Sequence, residues 1–186
     1  TTLGARSGLL VRDRRGLEEA RNLDTVIFDK TGTLTLGEFR VVDMAVSDGL
    51  TGDEALRIAA GIESESEHPI ARGIVRTAEE RGLAIPSAEG FRSITGKGIA
   101  ATVGGVEYHM GGPNLLQAES ARVPDGLREA AEKAAEKGKA AIYLLRGRDA
   151  QAVFAVADAI REESREAVRA LHERGVKVAM LTGDAW

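Results

Sequence analysis

Residues 26–35 read Val26-Ile27-Phe28-Asp29-Lys30-Thr31-Gly32-Thr33-Leu34-Thr35: three apolar residues, an acid, then a loop of hydroxyls around a glycine. A short unbroken apolar run suits a strand buried in a parallel sheet. Ligands of open α/β sheets gather outside the carboxyl ends of such strands, so Asp29 is expected to project into a crevice. A carboxylate there can attack the terminal phosphorus of ATP once positive charge offsets the repulsion between two anions, and Lys30 together with Mg²⁺ supplies that charge. Gly32 lets the backbone approach the phosphate, and the hydroxyls of Thr31 and Thr33 can donate to its oxygens.

Bulk properties narrow the rest. With 186 residues and 43% hydrophobic content the chain can form one large domain or two small ones. A net charge of −4 argues against a general nucleic-acid or anionic-membrane surface, while leaving room for a local phosphate site. The absence of cysteine excludes disulfides, thiolate metal sites and cysteine catalysis. His68, His109 and His172 are too scattered to suggest a zinc cluster. No apolar run approaches the ~18 residues of a membrane helix and no signal peptide is visible at Thr1-Thr2-Leu3, so the chain itself is expected to be soluble.

The pattern along the chain changes twice. After a short helix expected over Leu17–Arg21 and the strand Val26–Asp29, Phe39–Val42 and Met44–Val46 read as extended. Thr51 opens a helix in which Thr51 and Glu54 fit a capping box. Pro69 suits the first turn of the next, whose apolar face is Ile70, Ile74, Val75 and Ala78. Phe91–Ile94, Ile99–Val103 and Val106–Met110 read as strands, the last two joined by the hairpin signal Gly104-Gly105. Asp125–Lys137 is amphipathic, with Leu127, Ala130, Ala131 and Ala134 inward, and Ala140–Leu145 and Ala152–Ala157 complete an antiparallel sheet. After Asp158 a helix, Glu162–Arg174, leads to the strand Val176–Leu181.

Three further motifs stand out. Ser66-Glu67-His68-Pro69 opens a helix and sets two polar side chains where they can meet a heterocycle, although Glu67 serves equally to complement a helix dipole. Gly96-Lys97-Gly98 permits close approach to a flat ring or a phosphate, and read alone it suits a tight turn between strands as well; it lacks the rest of a P-loop and precedes a strand rather than a helix. Thr182-Gly183-Asp184 follows a strand read as parallel to the first.

Asp29 to Thr35, DKTGTLT, resembles the phosphorylation motif of P-type cation-transporting ATPases, and Ser-Glu-His-Pro is similar to the signature of their heavy-metal branch. The resemblance covers nearly the whole chain with the motifs in the family's order. It implies an α/β fold in which a partial Rossmann-like, haloacid dehalogenase-type phosphorylation domain is interrupted by an α+β nucleotide-binding domain with an antiparallel sheet. The implied bounds are residues 1–35 for a stalk remnant and the first part of the phosphorylation domain, 36–156 for the insertion and 157–186 for a truncated second part. It further implies Asp29 as the phosphorylated residue, with Lys30, Thr31, Thr33, Thr182, Gly183 and Asp184 around the phosphoryl group. Mg²⁺ would be held by Asp29 and the carbonyl near Thr31, and the adenine of ATP by Glu67, His68, Gly96, Gly98 and Gly111. Gly111-Gly112-Pro113-Asn114 departs from the family's Gly-Asn, so only Gly111 carries over.

A chain ending at Trp186 without a helix to close its last βα unit is expected to be a piece of a longer protein. The implied setting is the cytoplasmic face of a membrane protein that couples ATP hydrolysis to transport of a metal ion, in a direction the sequence does not give, through helices absent here, with copper preferred over zinc, cadmium or cobalt. Alone, the piece is expected to bind nucleotide and to phosphorylate slowly or not at all. Two other readings stay open. A free-standing phosphatase of the haloacid dehalogenase class is disfavoured because Thr31 stands where such enzymes carry a second Asp, and a hydroxyl is a poor proton shuttle. The other is a non-catalytic nucleotide-binding module.

Overall fold

The computed structural model describes Arg15, Glu19 and residues 22–181, with Thr31 described by its backbone only. The short helix expected near residue 19 falls largely outside this range, as do Thr182, Gly183 and Asp184. No helix among the described residues is long and apolar enough to cross a membrane. The chain forms two compact units, residues 37–159 and residues 1–36 with 160–186.

In the flanking unit, β1 (Thr25–Asp29) pairs in parallel with β8 (Lys177–Leu181), from Thr25 opposite Lys177 to Asp29 opposite Leu181. Parallel neighbours need a crossover, and α5 (Glu162–Glu173) precedes β8. Glu162 and Glu163 in the first turn and His172 in the last complement the helix dipole. No residue of α5 is fully buried, and Ile27, Met180 and Leu181 are exposed.

The other unit is built on a six-stranded sheet in the order β2, β7, β6, β5, β4, β3. Its strands are β2 (Thr35–Val46), β3 (Ala88–Ile94), β4 (Gly98–Val103), β5 (Val106–Gly111), β6 (Ala140–Arg146) and β7 (Asp149–Ile160). The ladder from β3 through β7 is antiparallel. Gly104 and Gly105 both have positive φ, 58° and 77°, which fits the two-residue turn joining β4 to β5. The two segments expected between Phe39 and Val46 are one continuous strand. β7 likewise runs past Ala152–Ala157 at both ends, because the strands beside it supply backbone partners that apolar content does not reveal.

Side-chain alternation along this sheet feeds two cores. Leu144, Ala152, Phe154 and Val156 pack beneath α1 (Gly52–Glu63) and α2 (Pro69–Glu80) with Leu56, Ala59, Ile62 and Ile74. Tyr143, Leu145 and Val153 face Leu115 of α3 (Pro113–Ala118) and Leu127 and Ala131 of α4 (Asp125–Glu136). A fully buried Phe, Leu or Ile side chain contributes about 1.5–3 kcal/mol, so this layered unit has the interior that stability needs.

The helix ends follow their local chemistry. Thr51 Oγ1 accepts from the Glu54 N–H at 3.3 Å while Glu54 Oε2 accepts from the Thr51 N–H at 3.0 Å, completing the capping box. In α2 the buried stripe is Ala71, Gly73, Ile74, Thr77 and Ala78, with Ile70 and Val75 only half-buried. Gly73 lies against the Phe39 backbone, where a Cβ would come within 2.7 Å of the carbonyl oxygen. The Thr77 hydroxyl donates to the Gly73 carbonyl at 2.7 Å and accepts from the Val41 N–H at 3.0 Å. This close seam between α2 and β2 is why the face turns away from a purely apolar reading.

Candidate functional site

Asp29 is the last residue of β1 and is exposed. A widened helical turn, Lys30–Leu34, follows, a form of backbone often found at functional sites. Gly32 adopts φ 77° there, which a residue with a Cβ resists. Thr35, only 3% exposed, ties the turn together: its hydroxyl accepts from the Gly32 N–H at 3.2 Å and donates to the Lys30 carbonyl at 3.0 Å. From the start of α5, the Arg161 N–H donates to the Leu34 carbonyl and its Nε–H to the Thr35 carbonyl, both at 3.0 Å. Thr33 is exposed on the turn and Lys30 half-buried. The pinning residues Thr35 and Arg161 were not among the expected site residues. Thr35 is the last residue of the decisive motif, but nothing in the sequence near Arg161 points 126 residues back to it.

The inserted unit holds a cleft of about 380 Å³ between the start of α2 and the turn joining β3 to β4. His68, Gly96, Gly98 and Gly111 all line it. His68 is the N-cap of α2: its Nδ1 accepts from the Ile70 N–H at 3.3 Å. In the neutral ring this leaves the proton on Nε2, a donor available to a ligand. Ser66 Oγ accepts from the His68 N–H at 3.4 Å.

The three glycines have distinct backbone reasons. Gly96 has φ 70° with open space where a Cβ would stand. A Cβ on Gly98 would overlap the Met110 carbonyl oxygen, and one on Gly111 the Lys97 carbonyl oxygen. Gly98 and Gly111 therefore permit the close β4–β5 approach that forms one wall, so a bulky residue at Gly98 disturbs the sheet before it meets any ligand.

Glu67 is exposed and does not line this cleft; it borders a separate surface hollow with Arg72, Arg76 and Glu79. The carboxyl that does line the cleft is Glu63, the last residue of α1, 7% exposed. Burial pushes its pKa up to about 7, and the Ser66 hydroxyl, which favours the charged form, offsets only part of the shift. Near neutrality it can accept or donate a hydrogen bond. The sequence carried a signal for it: Leu56, Ala59, Ala60 and Glu63 fall at i, i+3, i+4 and i+7, which puts a carboxylate on the buried stripe of its helix.

Among the described residues no group of three or more His, Cys, Asp or Glu is placed to hold a metal ion. The Asp29 carboxylate and a carbonyl of the turn are hard oxygen donors of the kind Mg²⁺ takes, and that ion normally keeps waters and phosphate oxygens for its remaining positions. The donor set therefore fits Mg²⁺ bound together with a phosphate.

Comparison with known proteins bears on the family and the fold. A family model described as a haloacid dehalogenase-like hydrolase matches residues 23–186. The chain is 45% identical over 184 residues to copper-exporting P-type ATPase B of Archaeoglobus fulgidus, covering 99% of this chain and 26% of that protein. It is 42% identical over 186 residues to probable copper-exporting P-type ATPase V of Mycobacterium tuberculosis, covering 24% of the relative. The chain thus spans about a quarter of the length of these relatives. Among solved structures, a zinc-transporting PIB-type ATPase in its E2.Pi state superposes with a TM-score of 0.77 at 34% identity, over 88% of this chain and 26% of that one. The catalytic domain of the CPx-ATPase CopB-B, in a structure concerned with conformational changes upon nucleotide binding, gives 0.62 at 25% identity, over 95% of this chain and 60% of that one.

Proposed function

This chain belongs to the haloacid dehalogenase-like hydrolase family, and within it we propose that the chain is the nucleotide-binding and phosphorylation region of a heavy-metal-exporting P-type ATPase. The unit of residues 37–159 is the nucleotide-binding domain, and the unit that carries Asp29 is the phosphorylation domain. The observation that carries this reading is the end of β1, where a carboxylate is followed by a pinned phosphate-sized turn with Thr31 in place of a second acid.

An Asp29 carboxylate oxygen attacks the γ-phosphorus of ATP; the new O–P bond forms as the bond to the β-phosphate oxygen breaks, and ADP leaves with that electron pair. The turn's N–H groups, Lys30 and the Thr31 and Thr33 hydroxyls steady the charge of a loose transition state that needs mainly positioning and electrostatics. Mg²⁺, when bound, neutralises charge shared between the phosphate and Asp29. Water later cleaves the acyl-phosphate, and without an acid at position 31 to shuttle protons that step is slow enough for energy coupling. Thr182, Gly183 and Asp184 serve the same phosphoryl chemistry, a role supported by their motif following the other motifs in order along the chain. Glu63, His68, Gly96 and Gly111 enclose the base of the nucleotide, with Gly98 shaping the wall and Glu67 outside it. Copper is the cargo of the whole protein, a reading supported by the names of the relatives at 45% and 42% identity.

Incubation of the 186-residue chain with γ-labelled ATP and Mg²⁺, an acid quench and a hydroxylamine challenge tests the chemistry, with calorimetry alongside. The expected result is hydroxylamine-sensitive label that accumulates only slowly, over long incubation, and disappears in Asp29→Asn while ATP affinity is kept or improved, since a negative charge near the γ-phosphate is gone. Label that persists in Asp29→Asn, or turnover of small phosphate esters in preference to ATP, would replace this reading with a phosphatase or another nucleophile.

A further inference from the structure

His109, on β5, has a side chain only 13% exposed and stands between two carboxylates of different elements. Its Nε2 lies 3.8 Å from Glu107 Oε2 on its own strand, and its Nδ1 lies 3.8 Å from Glu119 Oε1 at the C-terminal end of α3. Neither separation is a hydrogen bond, and Nδ1 is buried with no hydrogen-bond partner among the described residues. A buried polar atom left unpaired is costly, so its place in the fold needs a reason. Across the ladder the ring faces Ala100 of β4 and Leu145 of β6, which offer it no polar group. Arg92 of β3 takes the other oxygen of Glu107, Oε1, at 2.7 Å. Arg92 also holds the Glu107 carboxyl below the usual carboxylate range, with a smaller effect from His109, so this group stays ionised in mild acid.

A neutral imidazole carries one N–H and can donate to only one of the two carboxylates. The imidazolium donates from both nitrogens and matches both at once. The backbone favours the same form, because Glu119 sets a negative charge at a helix C-terminus, where the carbonyl ends prefer a cation. Ser120, the next residue, has φ 48°, alone among the described non-glycine residues in the left-handed region, and the Ala121 N–H donates to the Leu116 carbonyl at 2.9 Å around it. The other end of α3 borders the nucleotide cleft. Leu115 stands so close to Gly111 that a Cβ there would come within 3.0 Å of it, and the Asn114 amide donates to the Gly96 carbonyl at 3.3 Å, clamping the β3–β4 turn.

We propose that His109 is a proton-operated clasp: with both ring nitrogens protonated it bridges Glu107 of β5 and Glu119 of α3, and so steadies α3 and the glycine turn that α3 holds at the cleft. The ring takes its second proton from solvent, and imidazole is the side-chain group that does so in the mildly acid range. A wall already ordered costs less to order when a ligand enters, so nucleotide binds more tightly with the clasp closed. This coupling rests on the nucleotide reading above, whereas the clasp does not. His109 does not line the cleft and is a positioning residue.

Two measurements on the 186-residue chain test it, each at about pH 5.5 and pH 8 for the wild type, His109→Gln and Glu119→Gln. The first is exchange of the Glu119 and Ala121 amides, corrected for the intrinsic effect of pH. Protection in the wild type should be about tenfold greater at the lower pH, the scale of one charge-assisted hydrogen bond, and should be level in both variants. Glu119 is one-third exposed, so its variant keeps the test open should His109→Gln fail to fold. The second is calorimetry with ATP. The ratio of affinities between the two pH values should be about fivefold larger in the wild type than in either variant. Glu63 and His68 line the cleft and add a pH dependence of their own, which is common to the three chains and cancels in the comparison. Exchange that is level in the wild type, or equally pH-dependent in all three chains, would overturn the clasp. Exchange as expected with one ATP ratio for all three would overturn its coupling to the cleft. Wild-type chain that binds no ATP at either pH, while exchange still responds to His109, would overturn the nucleotide reading and the coupling with it, and would support the clasp alone.

Discussion

The two units of this chain are built on different scales of burial. In residues 37–159 a six-stranded sheet is covered on both faces, and Phe154, Leu144 and Leu56 are fully buried. In the unit that carries Asp29 the described residues form a two-stranded parallel pair with one crossover helix, where Ile27 is 67% and Leu181 66% exposed. Two strands alone are marginal in water, whereas a covered sheet of six has a core of its own. The larger unit thus carries its stability within itself. In the smaller unit polar ties, those of Thr35 and Arg161 around the turn, hold one short loop in shape.

The sharpest way to break this contrast is to truncate one apolar side chain in each unit. Phe154→Ala should cost about 3–5 kcal/mol, the usual range for emptying a packed aromatic site. Ile27→Ala should cost less than about 1 kcal/mol because most of its surface already meets water. Denaturant unfolding followed by amide exchange in each unit measures both, and equal losses would show that β1 is covered far more than its exposure indicates.

A pH experiment sharpens the account of the larger unit. Glu63 has a folded pKa of about 7 against an ordinary value of 4.5, so the folded chain holds this proton more tightly than the unfolded chain does. Stability is unaffected by this group below pH 4.5, falls as pH rises through the window up to 7, and is level above it. Glu63→Gln should remove that fall and gain up to about 3 kcal/mol at pH 8, with no gain at pH 4. Urea titrations at the two pH values decide it; a gain of equal size at both would mean that packing, not ionisation, separates the variants.

For the smaller unit, Thr35→Ala removes the partner of both the Gly32 N–H and the Lys30 carbonyl and should cost about 2 kcal/mol, with Thr35→Ser recovering most of it. The readout is the exchange rate of the Gly32 amide, which a loop held by Arg161 alone would leave unchanged. The smallest effect is expected at Gly96. Ala there meets open space but a φ of 70°, so Gly96→Ala should cost about 1 kcal/mol while leaving the cleft's walls in place. A loss beyond about 3 kcal/mol, seen in thermal unfolding, would mean that the turn is packed more tightly than the geometry shows.

Much of this was legible in the chain. The capping box at Thr51 and Glu54, Pro69 at a helix start and the Gly104-Gly105 hairpin are local instructions, read within a few residues of where they act. The short strand ending in Asp29 is equally local. Other features failed to show because the property that exposes them is not apolarity. Gly73 and Thr77 belong to the buried face of α2 for reasons of close approach and hydrogen bonding, and a search for aliphatic spacing passes over them. The helix Pro113–Ala118 is too short for its period to show, and no element is expected there from the sequence.

The sequence by itself determined the order of motifs, the periodicity of the longer elements and the acid that closes the short apolar strand, because these depend on neighbours three or four residues apart or on a contiguous run. Only the tertiary structure decided that Glu63 rather than Glu67 enters the cleft, that Asn114 clamps the turn at Gly96, and that Arg161 closes the loop around Thr35. Each of these joins residues on different elements. Which side chains meet there is settled by how the helices and strands pack and by the need to pair buried polar groups, and that information is shared by the whole core rather than carried in any one segment.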